Sequence, residues 1–441
     1  MRRALLLAFA LTAAPRAHAF CGFFVGKADA QLFNKSSQVA LVRDGERTVL
    51  TMSNDYQGPL SEFALVVPVP SVLTREQIHI GDRKLLERLD AYSSPRLVEY
   101  TDPDPCQVRV AELAEMSRGL YPMAAKSAEA RDHAKAMGVT IEAAYTVGEY
   151  DILLLSAKQS EGLEAWLRES GYRIPAHASR ALAPYVKQDM KFFVAKVNLK
   201  EQKKAGFQEL RPIQIAYESP RFMLPIRLGM ANADGPQDLI VYAITRNGRV
   251  ESSNYQTVKV PSDAEVPEYV QKEFGEFYKA TFARTWKQHG QRAVVTEYVW
   301  NMGWCDPCAA PPMEARELRE LGVFWLDAAN AQGRVRGPMG MPITLTRLHV
   351  RYDAEHFPED LMFQETGDQQ NFQGRYVLNH PFRGEMKCEA RERYLTSVRD
   401  RRRREAATLA ALTGWNVEKI RERMGPDALP QVDPWWKSLW K

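Results

Sequence analysis

The chain has 441 residues, of which 45% are hydrophobic and 26% are charged. This composition excludes an intrinsically disordered protein and suffices for one large hydrophobic core or a few ordinary ones. The formal net charge is +4, and it falls to +1 when the three arginines among the first nineteen residues are left out. A balance this close to neutral argues against a nucleic-acid-binding protein.

Residues 1–19 have the pattern of a secretory signal peptide. Two arginines follow the initiator methionine, residues 4–14 are apolar, and residues 17–19 read AHA, a small-x-small cleavage site. The mature chain is therefore predicted to begin at Phe20. Export to the periplasm or to the extracellular space follows from this prediction.

The start of the mature chain disfavours a lipid anchor. A lipoprotein needs cysteine directly after the small residues, and here Phe20 stands before Cys21. No later segment has the length and apolarity of a membrane-spanning helix. The sequence thus predicts an exported chain without a transmembrane helix.

Residues 20–105 are predicted to be a β-rich N-terminal part. Short runs of β-branched and aromatic residues alternate there with turn residues. Asp44-Gly45 stands between two apolar runs and predicts a hairpin. Residues 76–92 predict a helix with its leucines on one face.

Residues 106–260 are predicted to be a mixed α/β middle part with a helical insert. The insert, residues 124–137, lacks an apolar stripe and is predicted to be exposed, as a solvated helix or a disordered linker. Asn247-Gly248 predicts a second hairpin. Further strands are predicted at residues 145–156, 191–199, 213–217, 223–228 and 238–245, and helices at residues 161–170 and 179–187.

Residues 261–394 are predicted to be a β-rich part that carries a closely spaced cysteine pair. Within it, residues 268–288 predict a helix whose aromatic side chains form a packing face. Residues 294–300 and 344–352 predict strands. On the second strand, alternation places His349 on one face with two arginines, which favours a surface or hydrogen-bonded histidine over a metal ligand.

Residues 395–441 are predicted to be a helical C-terminal tail. The arginine run at residues 401–404 is flanked by Asp400 and Glu405, so a solvated helix face is favoured over a nucleic-acid contact. The chain ends in PWWKSLWK, which could contact a membrane interface or dock onto the fold.

The cysteines take their meaning from the predicted export. In an oxidising compartment they can pair, and because their number is odd, two disulfides and one thiol is the simplest arrangement. The connectivity cannot be read from the sequence. Outside the closely spaced pair, the candidates for structural disulfides are Cys21, Cys106 and Cys388.

Cys305 and Cys308 are the sharpest candidates for chemistry. They stand between a predicted strand and a predicted helix, where a dithiol can be exposed beside a helix end that favours a thiolate. Structural disulfides, with each other or with Cys388, are the alternative. A zinc site would need further ligands, such as Cys388 with His349 or His380, and an oxidising compartment disfavours the free thiolates.

The motif WCDPC resembles the WCxPC active site of thioredoxin-fold oxidoreductases. That resemblance implies that Cys305 is the exposed nucleophile and Cys308 the resolving thiol. It also implies Pro342 as a counterpart of the cis-proline that faces the dithiol in those proteins. It covers only about fifty residues, and no complete thioredoxin domain can be drawn around it.

A second resemblance covers nearly the whole mature chain. The segments beginning FCGFFVGKADAQLF, YESPRFMLPIRLGM, VWNMGWCDPC and TRLHVRYDAEHFPED are similar to those of a bacterial exported family called domain of unknown function 2330. The resemblance implies an exported protein, sometimes tethered to a membrane, and implies no established activity.

The elements together predict an α+β fold, mainly antiparallel β-sheet with inserted helices and a helical C-terminal segment. The function favoured is that of a non-enzymatic binding or structural protein stabilised by disulfides. A thiol–disulfide oxidoreductase using Cys305 and Cys308 is the alternative. No cofactor is expected, and the expected partner is an unidentified protein or another component of the cell envelope.

Overall fold

The computed structural model describes residues 37–53, 64–106, 139–169, 178–205, 210–231, 235–302, 310–326 and 343–426, together with short strands at residues 23–24, 33–34 and 56–57. Most strand pairs are antiparallel, and helices lie between the strands and at the C-terminal end. The predicted α+β fold is therefore confirmed.

The strands up to residue 200 are β1 (Phe23–Phe24), β2 (Phe33–Asn34), β3 (Ser37–Asp44), β4 (Arg47–Ser53), β5 (Tyr56–Gln57), β6 (Ala64–Val69), β7 (Ile78–Ile80), β8 (Arg96–Thr101), β9 (Val139–Val147), β10 (Tyr150–Ala157) and β11 (Lys191–Val197). The later strands are β12 (Ile213–Glu218), β13 (Met223–Leu224), β14 (Gln237–Thr245), β15 (Val250–Ser252), β16 (Gln256–Lys259), β17 (Ala264–Glu265), β18 (Ala293–Asn301), β19 (Thr344–Tyr352), β20 (Leu361–Glu365), β21 (Phe372–Gln373) and β22 (Arg375–His380).

The helices are α1 (Arg83–Ser93), α2 (Ser160–Glu169), α3 (Ala178–Lys187), α4 (Leu199–Ala205), α5 (Arg227–Met230), α6 (Phe274–Gln288), α7 (Ala315–Glu320), α8 (Ala390–Thr413) and α9 (Val417–Met424). Two 3-10 helices precede β7 and α6, at Arg75–Gln77 and Glu268–Glu273. Among the helices of the described residues, none is long and apolar enough to cross a membrane.

A nine-stranded sheet forms the centre of the fold. Its order is β16-β18-β19-β14-β3-β4-β12-β7, with β21 paired to β18 beside this row. The predicted hairpin at Asp44-Gly45 is confirmed, because Asp44 pairs with Arg47 across a two-residue turn and Gly45 has a φ of 61°. Strand β19 lies inside the sheet, so residues on it are remote from either edge.

The two faces of the central sheet carry separate cores. Side chains alternate along β14, so Leu239 and Val241 join a core with Phe193 of the five-stranded sheet β1-β6-β11-β10-β9. Ile240 and Tyr242 point the other way and pack with the leucines of α1 and α7. The sheet is thus buried on both faces, and polar residues on it need partners inside the protein.

A β-bulge interrupts β18 at Glu297. Thr296 pairs with Leu348 and Tyr298 pairs with Arg347, so the residue between them has no partner of its own on β19. A bulge of this kind bends the strand and redirects a side chain. Here it turns the Glu297 carboxylate toward the helix-covered face of the sheet.

Helix α6 covers part of that face. The sequence predicts one helix over residues 268–288, and the structure has a 3-10 helix first and then α6. Phe277, Phe282 and Trp286 are buried, as the predicted packing face requires. The helix also carries Tyr278 against the sheet, where its hydroxyl meets Glu297.

The C-terminal helices α8 and α9 pack on the small sheet β17-β22-β8 and on the 3-10 helix before α6. Their shared core contains Val266, Leu378, Leu409 and Ile420, all buried. Helix α8 ends at Gly414, whose φ of 76° lies in the left-handed region that glycine adopts without strain. The predicted helical C-terminal segment is confirmed over the part of the chain that is described.

Other predicted elements differ from the structure at their bounds. The strand predicted at residues 145–156 is a hairpin of β9 and β10. The helix predicted at residues 76–92 begins only at Arg83, because the Asp82 side chain accepts a hydrogen bond from the first turn and caps it. The predicted insert at residues 124–137 lies outside the described residues.

Candidate functional site

A group of buried and part-buried charges lies between α6 and the central sheet. It is centred on Glu297 and His349, and we call it the His349 network. Its members are Asp90, Asp238, Tyr278, Glu297, Arg347, His349 and Arg351.

Glu297 is the anionic centre of the network. Glu297 is 1% exposed. Its carboxylate accepts hydrogen bonds from three side chains on two elements, β19 and α6. Arg347 donates from Nε to Oε2 at 2.6 Å, Nδ1 of His349 lies 2.8 Å from Oε1, and the Tyr278 hydroxyl donates to Oε1. A carboxylate removed from water needs such donors, because burial without them is strongly unfavourable.

His349 contacts a carboxylate through each ring nitrogen. Nδ1 faces Glu297, and Nε2 lies 3.2 Å from Oδ1 of Asp238. Ionised carboxylates only accept hydrogen bonds, so each nitrogen must carry a proton. The ring of Phe282 stacks on the imidazole with centroids 3.6 Å apart and excludes water from that face. These contacts favour the protonated imidazolium form of His349.

Arg347 links the centre of the network to helix α1. Its Nη1 donates to Oδ1 of Asp90 at 2.6 Å, and the hydroxyl of Tyr242 donates to the same oxygen at 2.8 Å. The guanidinium also lies over the Tyr242 ring, 5.4 Å from its centroid. Asp90 is part-exposed, so this end of the network reaches the surface of the protein.

Arg351 closes the opposite end. Its guanidinium makes two hydrogen bonds to Asp238, of 2.9 and 2.8 Å, in the paired geometry that suits an arginine and a carboxylate. It lies 5.0 Å from the ring centroid of Phe282, and its backbone carbonyl accepts from Nε1 of Trp286 at 2.9 Å. Helix α6 is thus attached to β19 by aromatic and polar contacts together.

The network shifts the pKa values of Glu297, His349 and Asp238 toward their charged forms. Burial by itself raises the pKa of Glu297, but His349 and Arg347 outweigh it and lower that pKa to about 2. Burial by itself lowers the pKa of His349, and the Glu297 and Asp238 carboxylates reverse the effect and raise it. Asp238 is held well below its usual pKa by His349 and Arg351, against the opposing effect of burial.

The positive and negative charges of the network balance one another. Three cations, Arg347, His349 and Arg351, neutralise three carboxylates, those of Asp90, Asp238 and Glu297. His349 has no ring nitrogen left to take a proton from a substrate or to bind a metal ion. The network stabilises the packing of α1 and α6 on the sheet, and it agrees with the predicted hydrogen-bonded histidine.

Among the described residues, no group of three or more histidine, cysteine, aspartate or glutamate side chains is placed to hold a metal ion. His380 contacts Glu99 through Nε2 at 2.7 Å, and His356 contacts Asp353 through Nδ1 at 2.8 Å. His349 and His380 are the two histidines that the sequence offered as zinc ligands beside Cys388. Both are engaged by carboxylates.

One disulfide lies within the described part of the chain. Cys106 is bonded to Cys388, with their Cα atoms 5.7 Å apart and 282 residues between them in sequence. The expectation that the chain carries a disulfide is confirmed. Cys388 is therefore not available to Cys305 or Cys308, either for a disulfide or for a zinc site. Cys21, Cys305 and Cys308 lie outside the described residues.

The disulfide is reinforced by charged contacts. Arg401 of α8 donates through both Nη atoms to Asp102, at 2.9 and 2.8 Å. The hydroxyl of Tyr394 donates to Oδ2 of the same aspartate at 2.7 Å. The disulfide and these bonds attach the start of α8 to the residues that follow β8.

The sequence alone did not single out several members of the network. Glu297 lies within a run of apolar residues that predicts an ordinary strand, and the bulge that redirects it has no local signature. Asp90 lies 257 residues from Arg347 in the chain, so no spacing links them. One signal was present, since a charged residue inside an apolar strand requires a buried partner.

Comparison with known proteins gives a family and no activity. No curated protein and no solved structure matches the chain significantly, so the resemblance of WCDPC to thioredoxin-type sites stays a prediction. The family described as an uncharacterized protein conserved in bacteria, domain of unknown function 2330 (DUF2330), matches residues 15–364. Because the match spans most of the sequence and includes the His349 network, the chain belongs to this family.

Proposed function

We propose that the protein is an exported, non-enzymatic binding or structural protein of the bacterial cell envelope. The observation that carries the proposal is the saturation of His349, whose two ring nitrogens both face carboxylates. The buried charges of Glu297, Arg347 and His349 are thereby committed to holding the layers of the fold together. A charge arrangement of this kind stabilises a scaffold and leaves His349 without a free ring nitrogen for acid–base catalysis.

Two further observations support this role. The basic start, apolar run and AHA site at residues 17–19 have the form of a secretory leader. The disulfide between Cys106 and Cys388 suits an oxidising compartment, where such bonds persist. The partner expected is a protein or another component of the envelope.

Export is tested by expressing the full chain in a bacterium and sequencing the N-terminus of the product after cell fractionation. The expected product begins at Phe20 and is found in the periplasm or the medium. An unprocessed chain in the cytoplasm would contradict the proposal. A variant with Arg2 and Arg3 replaced by glutamate serves as the control that should fail to be exported.

A thiol–disulfide oxidoreductase using Cys305 and Cys308 is the second candidate. One observation favours it, because the bond between Cys106 and Cys388 removes Cys388 as a structural partner for the pair. The remaining cysteine partners for Cys305 and Cys308 within the chain are each other and Cys21.

The two candidates differ in what mild reductant does to the mature protein. An enzyme would expose Cys305 and Cys308 to alkylation under mild reduction and would reduce insulin, and the double variant Cys305→Ser, Cys308→Ser would lose that activity. For a binding or structural protein, we expect no insulin reduction by the wild type. Cys21→Ser is the matched control, which should behave as the wild type does in the insulin assay.

A further inference from the structure

Among the described residues, no carboxylate pairs with the guanidinium group of Arg96, the first residue of β8. Its Nε and Nη1 atoms are both buried and make no hydrogen bond there. Nη2 donates to the side-chain carbonyl oxygen of Gln373, which is a neutral acceptor. A cation removed from water in this way is costly unless a negative charge lies against it. Arg96 therefore lacks a counter-ion.

Other arginines that face the interior are compensated. Arg227 also has a buried Nε without a hydrogen bond, but it forms ion pairs with Glu359 and Asp360. Arg43 is 5% exposed, and its guanidinium donates to two backbone carbonyl oxygens and to a threonine hydroxyl. Arg96 has neither an ion pair nor such a set of hydrogen bonds within the part of the chain that the structure describes.

Two buried phenols lie beside Arg96. Tyr92 of α1 and Tyr298 of β18 meet edge to face, with ring centroids 5.7 Å apart, and both lie close enough to Arg96 to affect its pKa. The Tyr92 hydroxyl is buried without a hydrogen-bond partner among the described residues. The Tyr298 hydroxyl lies near it, although no hydrogen bond of ordinary geometry joins the two. Burial raises the pKa of both phenols, so each keeps its proton and can donate it to an acceptor.

The charges around Arg96 leave an excess of positive charge. Arg375 pairs with Arg96 across the parallel strands β22 and β8, and its charge lowers the pKa of Arg96 in addition to the effect of burial. Arg375 has a carboxylate of its own, since its Nε donates to Asp263. The carboxylate of Glu297, next to Tyr298 in the chain, is bonded within the His349 network. The group that Arg96 and the two phenols lack is therefore an anion.

The anion must be small and must accept from several donors at once. Tyr92, Tyr298 and Gln373 are each 7% exposed or less, so the side chains around Arg96 are closely packed. A monoatomic anion accepts hydrogen bonds from every direction. A water molecule would leave the positive charge uncompensated and would bring two hydrogens that need acceptors of their own.

We propose that Arg96, Tyr92 and Tyr298 form a halide-binding site that chloride occupies in solution, with the guanidinium as the counter-ion and the phenol hydroxyls as further donors. The inference goes beyond the proposed function and does not depend on it. The ion joins α1, β8 and β18, because each of them supplies one of the three residues. The stability of the fold should therefore depend on the concentration of halide.

The first test is thermal unfolding of the full mature protein while sodium gluconate is exchanged for sodium chloride at constant ionic strength. Between about 5 and 300 mM chloride, we expect Tm to rise by roughly 1–3 °C. Sodium bromide should act as sodium chloride does. A Tm that does not change with chloride would overturn the proposal.

Two arginine variants show whether the response belongs to this site. Arg96→Gln removes the counter-ion and should abolish the chloride response. Arg393→Gln, at an exposed position on α8, is the matched control and should keep it. Sulfate stabilises proteins generally by exclusion from their surface, so sodium sulfate should raise the Tm of the wild type and of Arg96→Gln equally. An equal chloride response in the wild type and Arg96→Gln would contradict the site.

Binding is observed directly by ³⁵Cl NMR. The wild type should broaden the chloride line, and added bromide should remove the broadening by competition for the same site. Arg96→Gln should not broaden the line, and Arg393→Gln should broaden it as the wild type does. Broadening that persists in a folded Arg96→Gln would assign the bound chloride to another place and refute the inference.

Tyr92→Phe keeps the proposal testable if Arg96→Gln does not fold, because it removes only a hydroxyl. If chloride is bound, the loss of one donor should weaken its affinity by about three- to tenfold in the NMR titration. If no ion is bound, the change removes an unsatisfied buried hydroxyl and should raise Tm equally at every chloride concentration, which would overturn the inference. Tyr100→Phe, at an exposed position on β8, is the control and should leave both measurements unchanged.

Discussion

Nδ1 of His349 lies 2.8 Å from Oε1 of Glu297, and these two residues form an ion pair inside the protein, where neither is well solvated. Removing one partner of such a pair leaves the other charge buried without compensation. We expect His349→Gln to lower the free energy of unfolding by about 3–5 kcal/mol, as measured by chemical denaturation at pH 6.

The control for this change is His79→Gln, at an exposed position on β7. That variant should stay within about 0.5 kcal/mol of the wild type. Equal effects of the two substitutions would show that the charge of His349 contributes nothing to stability.

The charge of His349 should also make stability depend on pH. Its pKa is raised in the folded protein, so the stabilisation is fully present below the pKa of the unfolded chain, about 6.5, and is lost as the pH rises through the folded value. The difference in unfolding free energy between the wild type and His349→Gln should therefore shrink as the pH rises from 6 to 9. A difference that is constant over this range would mean that the imidazole is not protonated in the fold.

The hydroxyl of Tyr278 should carry a measurable part of the attachment of α6. It donates to the buried Glu297, and hydrogen bonds to charged groups contribute about 1.5–3 kcal/mol. Tyr278→Phe removes only the hydroxyl, and we expect a loss of about that size in chemical denaturation. Tyr100→Phe is the matched control, because Tyr100 is 53% exposed. No loss in Tyr278→Phe would mean that Arg347 and His349 satisfy Glu297 alone.

The disulfide should stabilise the fold through the length of the loop that it closes. Cys106 and Cys388 are 282 residues apart, and chain entropy then gives an upper limit of about 6 kcal/mol. The double variant Cys106→Ser, Cys388→Ser should lose about 2–5 kcal/mol, seen as a lower Tm. Alkylation of the unfolded, unreduced protein followed by mass spectrometry provides the check, since labelling of Cys106 and Cys388 would refute the bond.

Glu405→Gln should stabilise the protein at alkaline pH. The pKa of Glu405 is raised in the folded state to about 7, so the fold holds this proton more tightly than the unfolded chain does. The contribution of Glu405 is favourable at low pH and is lost between about pH 4.5 and pH 7. At pH 8 we expect Glu405→Gln to exceed the wild type by up to about 3 kcal/mol, and at pH 4 we expect no gain. Glu422→Gln, at an exposed position on α9, should show no such trend.

The sequence predicted what depends on local patterns. Alternation along β19 correctly placed Arg347, His349 and Arg351 on one face, since that face is a property of consecutive residues. It could not predict which carboxylates meet them. Asp90 and Asp238 come from distant elements. Glu297 reaches Arg347 and His349 because the bulge in β18 redirects its side chain.

The hairpin predicted at Asn247-Gly248 was wrong for a similar reason. Strand β15 does not return along β14 but pairs with β20, where Val250 faces Glu365. A Cβ atom on Gly248 would lie 2.2 Å from the backbone oxygen of Thr366, so the glycine is needed for close contact with that segment. Asn247-Gly248 thus packs against the backbone near Thr366 and does not form the tight turn of a hairpin.

The disulfide pairing was open in the sequence because spacing does not determine it. Cys106 and Cys388 are brought together by the parallel pairing of β8 with β22, which aligns Thr101 with His380. That pairing depends on the packing of α8 and α9 against this sheet, which no short motif encodes.

The bond between Cys106 and Cys388 also determines how the protein behaves when its backbone is cut. A protease that cleaves once anywhere between these two residues produces two fragments that remain one covalent molecule. The fragments would migrate together on a non-reducing gel and separate only after reduction. A nicked protein can therefore keep its C-terminal helices after the chain has lost its continuity.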